Sequence, residues 1–147
     1  MGSHTPQIER DRQTAPQLLL DTHIVVRWLT ETKRLSREQL RALDSAESRG
    51  EPLAVSAVTL LEIALLSREG GKRLPVPAPE IFAALGSGAG FRIVPIDIAV
   101  ASEFAALGDI LRDPSDRAIV ATARVHRFRL VTSDERIIES KLVSVVE

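Results

Sequence analysis

Acidic side chains stand directly after two short apolar runs of this 147-residue chain. Asp21 follows the run 18–20, and Asp134 follows the run 130–133. In an open α/β sheet the ligand crevice lies outside the carboxyl ends of the strands, so carboxylates at these two places are candidates for chemistry. For either residue alone, an Asp that caps a helix or closes a turn is the competing interpretation.

A third carboxylate, Glu62, stands in the strongly apolar run 57–66, where Thr59 is the other polar residue. No Lys or Arg lies three or four positions from it, although those are the positions that share its side of a helix. A carboxylate on an apolar helix face is costly unless it finds a cation, a hydrogen-bond network or a metal. The competing interpretation is a solvent-facing Glu near the start of a helix.

The segment around Asp113 and Asp116 has an ordinary structural explanation and a chemical one. Asp113 is a suitable N-cap, Pro114 a suitable first helical residue, and Asp116 a suitable acidic residue in the first turn. Asp116 also shares a helical face with Ile119 and Val120, which we expect to pack on the sheet. Asp113 would then cap the helix while Asp116 reaches toward the ends of the strands.

Four carboxylates in one crevice would repel each other unless a cation neutralises them. The chain has no Cys and 3 His, so its ligands would be oxygens, which suit Mg²⁺ or Mn²⁺ better than zinc or copper. The hydroxyls of Thr22, Thr132 and Ser133 lie beside the carboxylates in sequence and could orient water or a phosphate oxygen, although turn residues are the commoner role. His23 could line the same crevice.

Short apolar runs alternate with helical patterns along the chain, which is typical of a parallel sheet flanked by helices. The predicted strands cover residues 18–20, 53–56, 91–94, 129–132 and, at the edge, 142–146. The predicted helices cover residues 23–30, 36–49, 58–67, 80–85, 98–107 and 114–126. We expect residues 1–16 to be a disordered lead or a cloning remnant and residues 17–147 to form a single domain.

The composition excludes several classes of function. With a formal charge of −1, bulk positive charge cannot be the basis of nucleic-acid binding, so any such contact must be local. No apolar run approaches the roughly 20 residues that cross a bilayer, so no membrane association is expected. The absence of Cys excludes disulfide scaffolds and thiol nucleophiles. We expect a cytoplasmic protein.

Four segments together resemble the PIN-domain nucleases, and in particular the VapC-like toxins of bacterial toxin–antitoxin pairs. The matching segments are Leu-Leu-Leu-Asp-Thr-His at 18–23, Val-Ser-Ala-Val-Thr-Leu-Leu-Glu-Ile-Ala at 55–64, Arg-Asp-Pro-Ser-Asp-Arg-Ala-Ile-Val-Ala-Thr-Ala at 112–123 and Leu-Val-Thr-Ser-Asp-Glu-Arg-Ile at 130–137. Their order also agrees with the family. The resemblance implies a three-layer α/β/α sandwich around a central, mainly parallel twisted sheet of four to five strands.

The resemblance also implies which residues act. The catalytic and metal-binding quartet carries over to Asp21, Glu62, Asp116 and Asp134. Asp113 belongs to a subgroup pattern and, with Thr22, Thr132 and Ser133, would support the quartet. Ser115 departs from that subgroup, which often has a bulky aromatic residue there, and the difference would affect the wall of the pocket rather than metal binding.

The implied activity is that of an Mg²⁺- or Mn²⁺-dependent endoribonuclease that is inhibited by a cognate antitoxin and forms a homodimer. A catalytically silent binding module with the same fold is one alternative, although it would have no reason to keep four repelling carboxylates. A DNA-processing nuclease of the same metal-dependent group is another, and it would need a larger basic surface. A phospho-acceptor fold fits less well, because Thr22 and His23 stand where it would need a second Asp.

Overall fold

Five short strands form one parallel sheet in the order β3-β2-β1-β4-β5. The computed structural model describes residues 16–68 and 74–147. Its strands are β1 (Leu18–Leu20), β2 (Leu53–Ser56), β3 (Phe91–Val94), β4 (Arg129–Val131) and β5 (Val145–Val146). Because β1 is central and pairs in parallel with β2 and β4, the residue that follows it lies at the middle of the carboxyl edge.

Seven α-helices connect the strands in the described part of the chain. They are α1 (Thr22–Thr30), α2 (Arg37–Ser48), α3 (Ala57–Arg68), α4 (Ala78–Gly86), α5 (Ile98–Leu107), α6 (Pro114–His126) and α7 (Glu135–Ser140). Side-chain caps start most of them, as Ser36 does for α2, Asp97 for α5 and Asp113 for α6. These helices therefore begin directly after a polar residue that caps them.

Both faces of the sheet are buried, which accounts for the continuous apolar run in β1. Leu18 and Leu20 belong to the core beneath α1, α2 and α4, whereas Leu19 belongs to the core beneath α5, α6 and α7. Alternate residues of a strand point to opposite faces, so three consecutive leucines serve two cores. The predicted three-layer α/β/α fold with a parallel sheet is confirmed.

The structure differs from the predicted elements in two places. Helix α7 was not expected, because its six residues are too few to show an apolar period, and its N-cap is the predicted site residue Asp134. The edge strand β5 is limited to two residues rather than 142–146. The predicted lead lies outside the described residues except for Pro16. None of the described helices is long and apolar enough to span a membrane.

Candidate active site

Asp21 is a buried carboxylate at the centre of the carboxyl edge of the sheet. Its side chain is 5% exposed. Oδ1 accepts a hydrogen bond from the backbone N–H of Thr22 at 2.8 Å, and Oδ2 accepts one from Thr132 Oγ1 at 2.8 Å. Asp21 thus caps α1, as the capping interpretation required, and is at the same time oriented by the hydroxyl of Thr132, which directly follows the neighbouring strand β4.

A pair of threonine hydroxyls connects α1 to Glu62 on α3. Thr22 Oγ1 donates to Glu62 Oε1 at 2.5 Å and lies 3.0 Å from Thr59 Oγ1. Since a hydroxyl has one proton, and that of Thr22 is used on Glu62, Thr59 must donate to Thr22. Thr59 is fully buried, and the hydrogen bonds therefore run in one direction, from Thr59 to Thr22 and from Thr22 to Glu62.

Asp113 caps helix α6, whereas Asp116 does not act as a cap. Asp113 Oδ1 accepts from the N–H groups of Ser115 at 2.8 Å and of Asp116 at 3.2 Å, so Asp113 is the N-cap of α6. The half-buried Asp116 side chain makes no such capping contact. It lies close enough to Asp21, Glu62 and Asp113 for their charges to raise its pKa.

The loop that carries Asp134 is held by side chains on both sides of it. The N–H of Asp134 donates to Thr132 Oγ1 at 3.1 Å, and Asp134 itself caps α7. The fully buried Gln39 of α2 donates through Nε2 to the Thr132 carbonyl at 3.2 Å and to Ser133 Oγ at 3.0 Å. Thr132 therefore contacts Asp21 and Asp134 while its own backbone is held by α2.

Burial and mutual repulsion act on the carboxylates of this cluster. Desolvation, together with the smaller effects of the charges of Asp113, Asp134, Asp21 and Glu62, raises the pKa of Asp116 to about 7. Burial likewise raises the pKa of Asp21 and of Glu62, against hydrogen bonds from Thr132 and Thr22 that lower them. The five acidic side chains thus form one electrostatically coupled group.

The Lys and Arg side chains of the described residues form no ion pair with this group. Arg117, next to Asp116 in sequence, instead donates from Nε and Nη2 to the Leu111 carbonyl at 2.8 and 2.6 Å and lies over the ring of Phe104. The ion pairs of the described residues lie elsewhere, between Arg34 and Glu31, Arg49 and Glu51, and Arg124 and Glu103. His23, although exposed, is near enough to Asp21 and Glu62 to lower the pKa of both.

The donor set fits a hard divalent cation. It is made of carboxylate oxygens with neighbouring hydroxyls, and its members repel each other in the absence of a cation. Within residues 16–68 and 74–147, no three acidic or histidine side chains are gathered closely enough to ligate one ion directly. Mg²⁺ is commonly held by one or two carboxylates and keeps several water ligands, so it does not require three direct protein ligands.

A pH dependence of stability follows from Asp116. Its pKa lies near 7 in the folded chain and near 3.8 when unfolded, so the folded state binds the extra proton between these values. We expect the metal-free protein to lose stability as the pH rises from about 4 to about 7, and Asp116→Asn to remove part of that loss. Because Asp116 is half-exposed, solvent screening limits the gain in Tm to about 2 to 6 °C at pH 7.5.

Thermal unfolding in chelator at a series of pH values measures this effect. The Tm difference between Asp116→Asn and wild type is expected to be small near pH 4 and greatest above pH 7. A variant whose Tm stays parallel to that of the wild type across the whole range would show that Asp116 is not a destabilising charge.

Sequence reasoning missed two residues of this network, Thr59 and Gln39. Thr59 had a signal, because it is the other polar residue in the apolar run and precedes Glu62 by one helical turn. For Gln39 the signal in the sequence was limited to its position three residues after the N-cap Ser36, with which it forms a capping box at the start of α2. Its other partners, Thr132 and Ser133, are more than 90 positions away in the chain.

An arginine cluster lies far from this site. Arg124 is in the last turn of α6 and Arg127 and Arg129 follow it, whereas Asp116 is at the start of the helix. A helix of 13 residues is about 20 Å long. These arginines therefore belong to the opposite end of the sheet, and Arg124 is paired with Glu103 at 2.7 Å.

A named ribonuclease and two solved structures are similar to most of this chain. Ribonuclease VapC22 of Mycobacterium tuberculosis is 36% identical over 121 residues, which are 82% of this chain and 88% of that protein. The structure of FitAcB from Neisseria gonorrhoeae is 26% identical, with a TM-score of 0.58 over 88% of this chain and 96% of the other. A toxin–antitoxin complex from Klebsiella pneumoniae shares the fold at 24% identity, with a TM-score of 0.60 and the same coverage.

The family match extends over nearly all of the described chain. Residues 18–141 match the PIN domain, which covers every strand but β5 and all of the acidic residues above. The resemblance predicted from the four sequence segments is confirmed. This chain belongs to the PIN domain family.

Proposed function

We propose that this chain is a metal-dependent endoribonuclease that acts as the toxin of a toxin–antitoxin pair, with residues 17–147 as its single nuclease domain. The observation that carries the proposal is the group of five mutually repelling carboxylates at the carboxyl edge of the sheet, with which no described Lys or Arg forms an ion pair. The 36% identity to a protein named ribonuclease VapC22 supports RNA as the substrate class.

Two of the carboxylates of Asp21, Asp116 and Asp134 would ligate Mg²⁺ or Mn²⁺ directly and the third would do so through water, with Glu62 at the side of the site. The three come from the ends of β1 and β4 and from the first turn of α6, so each is carried by a different element that packs on the same core. A bound divalent ion would stabilise negative charge on the phosphate oxygens and make water a stronger nucleophile. The rigid hydrogen bonds of Asp21 would keep its carboxylate in place before the ion arrives.

Glu62 has the properties of a general base. Burial raises its pKa, so it holds a proton more strongly than an exposed Glu, and Oε1 is held by Thr22, which leaves Oε2 for a water molecule. Water oxygen would attack the phosphorus in line, its proton would pass to Glu62, and the bond from phosphorus to the 3′ oxygen would break, with the 3′ oxygen taking up a proton from solvent water. The products would be a 3′-hydroxyl and a 5′-phosphate, as in the family resemblance.

An antitoxin is the protein partner we propose. The Klebsiella pneumoniae neighbour is a toxin–antitoxin complex, and its fold is shared over most of both chains. An inhibitor protein and an RNA substrate would place the activity in the cytoplasm.

We also propose that the chain forms a homodimer. The apolar side chains of Leu61 and Leu65 on α3 support this proposal, since both are more than 60% exposed. Sedimentation equilibrium of the isolated chain would test this state.

Expression without the antitoxin is expected to arrest growth, and Asp21→Asn is expected to relieve the arrest. The variant removes one negative charge from the site but keeps the shape and capping ability of the side chain, so the fold should persist. Growth curves after induction, with immunoblots to show equal protein levels, measure the effect. Arrest that persists unchanged in Asp21→Asn would count against metal-dependent catalysis as its cause.

A further inference from the structure

Gln39 is a buried polar side chain that contacts the loop of the candidate site from a helix with no acidic member of the site. It is fully buried, although Gln is usually exposed. Its Oε1 accepts from the N–H of Ser36 at 3.0 Å, and its Nε2 donates to the Thr132 carbonyl and to Ser133 Oγ. A buried amide with this many partners is well satisfied and strongly oriented.

The partners of Gln39 lie next to two of the four proposed metal-site carboxylates. Thr132 Oγ1 donates to Asp21 Oδ2 and accepts from the N–H of Asp134, so a rotation of Thr132 would move both acidic side chains. Ser133 is the residue that joins Thr132 to Asp134. Gln39 holds the backbone of the first and the side chain of the second, which leaves little freedom to the segment that presents Asp134.

We propose that Gln39 is a positioning residue of the active site, which sets the placement of Asp134 and Asp21 through Thr132 and Ser133. The inference rests on the proposed function, because a metal site is what the placement serves. Residues that orient metal ligands typically change metal affinity or activity by about 10- to 100-fold when they are replaced. An ordinary capping-box Gln would contribute stability to α2 alone.

Gln39→Met is the informative variant, since it has a similar length and volume but cannot donate to Thr132 or Ser133. We expect the variant to bind Mn²⁺ about 10-fold more weakly by calorimetry and to lose about 10- to 100-fold in kcat/KM on RNA. In metal-free protein we expect faster amide hydrogen exchange at Asp134, because the Thr132 carbonyl and the Ser133 side chain, which Gln39 holds next to it, are released.

Ser36→Ala is the matched control for lost helix capping. It removes the N-cap acceptor for the N–H of Gln39 and leaves the contacts of the Gln39 amide with the site loop in place. We expect Ser36→Ala to lower the Tm by a similar amount while its Mn²⁺ affinity stays within about twofold of the wild type. Equal losses of affinity in both variants, or wild-type affinity in Gln39→Met, would overturn the proposal.

Gln39→Glu provides a second test if Gln39→Met folds poorly. It keeps an acceptor for Ser36 but places a carboxylate oxygen against the Thr132 carbonyl, so we expect the same weakening of Mn²⁺ binding. Wild-type Mn²⁺ affinity and Asp134 exchange in this variant would also overturn the proposal. Failure of the wild type to cleave RNA would instead refute the proposed function, because the exchange at Asp134 is measured without metal or RNA.

Discussion

Asp21→Asn is expected to lower the rate of RNA cleavage by about 10³-fold while the protein stays folded. Asp21 is the central acidic residue of the site, is almost fully buried and receives two hydrogen bonds that fix its orientation. The Asn side chain keeps the shape and the capping oxygen but removes the charge that would bind a divalent ion. Loss of a directly binding carboxylate removes the chemistry that the ion supplies, which accounts for the size of the effect.

Folding and catalysis are separable in this variant. Burial raises the pKa of Asp21, so the neutral Asn should be tolerated at least as well as the carboxylate in metal-free protein. The control is Asp44→Asn, the same chemical change at an exposed position of α2. Initial rates on a labelled RNA, together with Tm values, measure both properties. Cleavage within about twofold of the wild type would remove Asp21 from the proposed mechanism.

Glu62→Gln is expected to lower kcat by about 10²- to 10³-fold with little change in Mn²⁺ affinity. A general base contributes a factor of this size, and Gln cannot accept the proton of the attacking water. The amide oxygen can still accept from Thr22 Oγ1, so the network from Thr59 should survive. The variant therefore tests proton transfer rather than the architecture of α3.

Single-turnover rates and calorimetric Mn²⁺ titration separate the two functions of Glu62. The control is Glu47→Gln, which makes the same change on the exposed side of α2. A large loss of Mn²⁺ affinity with unchanged single-turnover rate at saturating metal would assign Glu62 to metal binding rather than to proton transfer.

The sheet and most helices could be predicted because their signals are local. Each buried strand is a short apolar run that ends at a polar residue, and the caps Ser36, Asp97 and Asp113 mark helix starts by chemistry that acts over three or four residues. Helix α7 could not be predicted from apolar periodicity, because its six residues do not complete two turns.

The acidic residues of the candidate site could also be predicted, because the carboxyl ends of parallel strands meet at one edge. Asp21 and Asp134 follow adjacent strands, so the topology alone brings them together. Their roles stay predictions that the proposed variants test. Glu62 was singled out by its cost on an apolar helix, and the structure shows a hydroxyl from Thr22 where the sequence offered no cation.

The supporting network could not be predicted, because its partners are distant in sequence and its geometry depends on packing. Thr59 and Thr22 are 37 positions apart, and Gln39 and Thr132 are 93 apart. The packing of α2 and α3 on the sheet decides which of the buried hydroxyls and amides form hydrogen bonds with each other. Apolar periodicity predicts which face of a helix is buried, but it does not predict which polar atoms are in contact.

Cleavage of a total RNA pool by the purified protein is the direct test of the proposed ribonuclease activity. The reactions contain Mg²⁺ or Mn²⁺, or chelator, and Asp116→Asn serves as the matched protein because it should fold at least as well as the wild type. We expect discrete fragments with 5′-phosphate ends that require both the metal and Asp116. Cleavage that persists in chelator or in Asp116→Asn, or no cleavage with either metal by folded, partner-free protein, would contradict it.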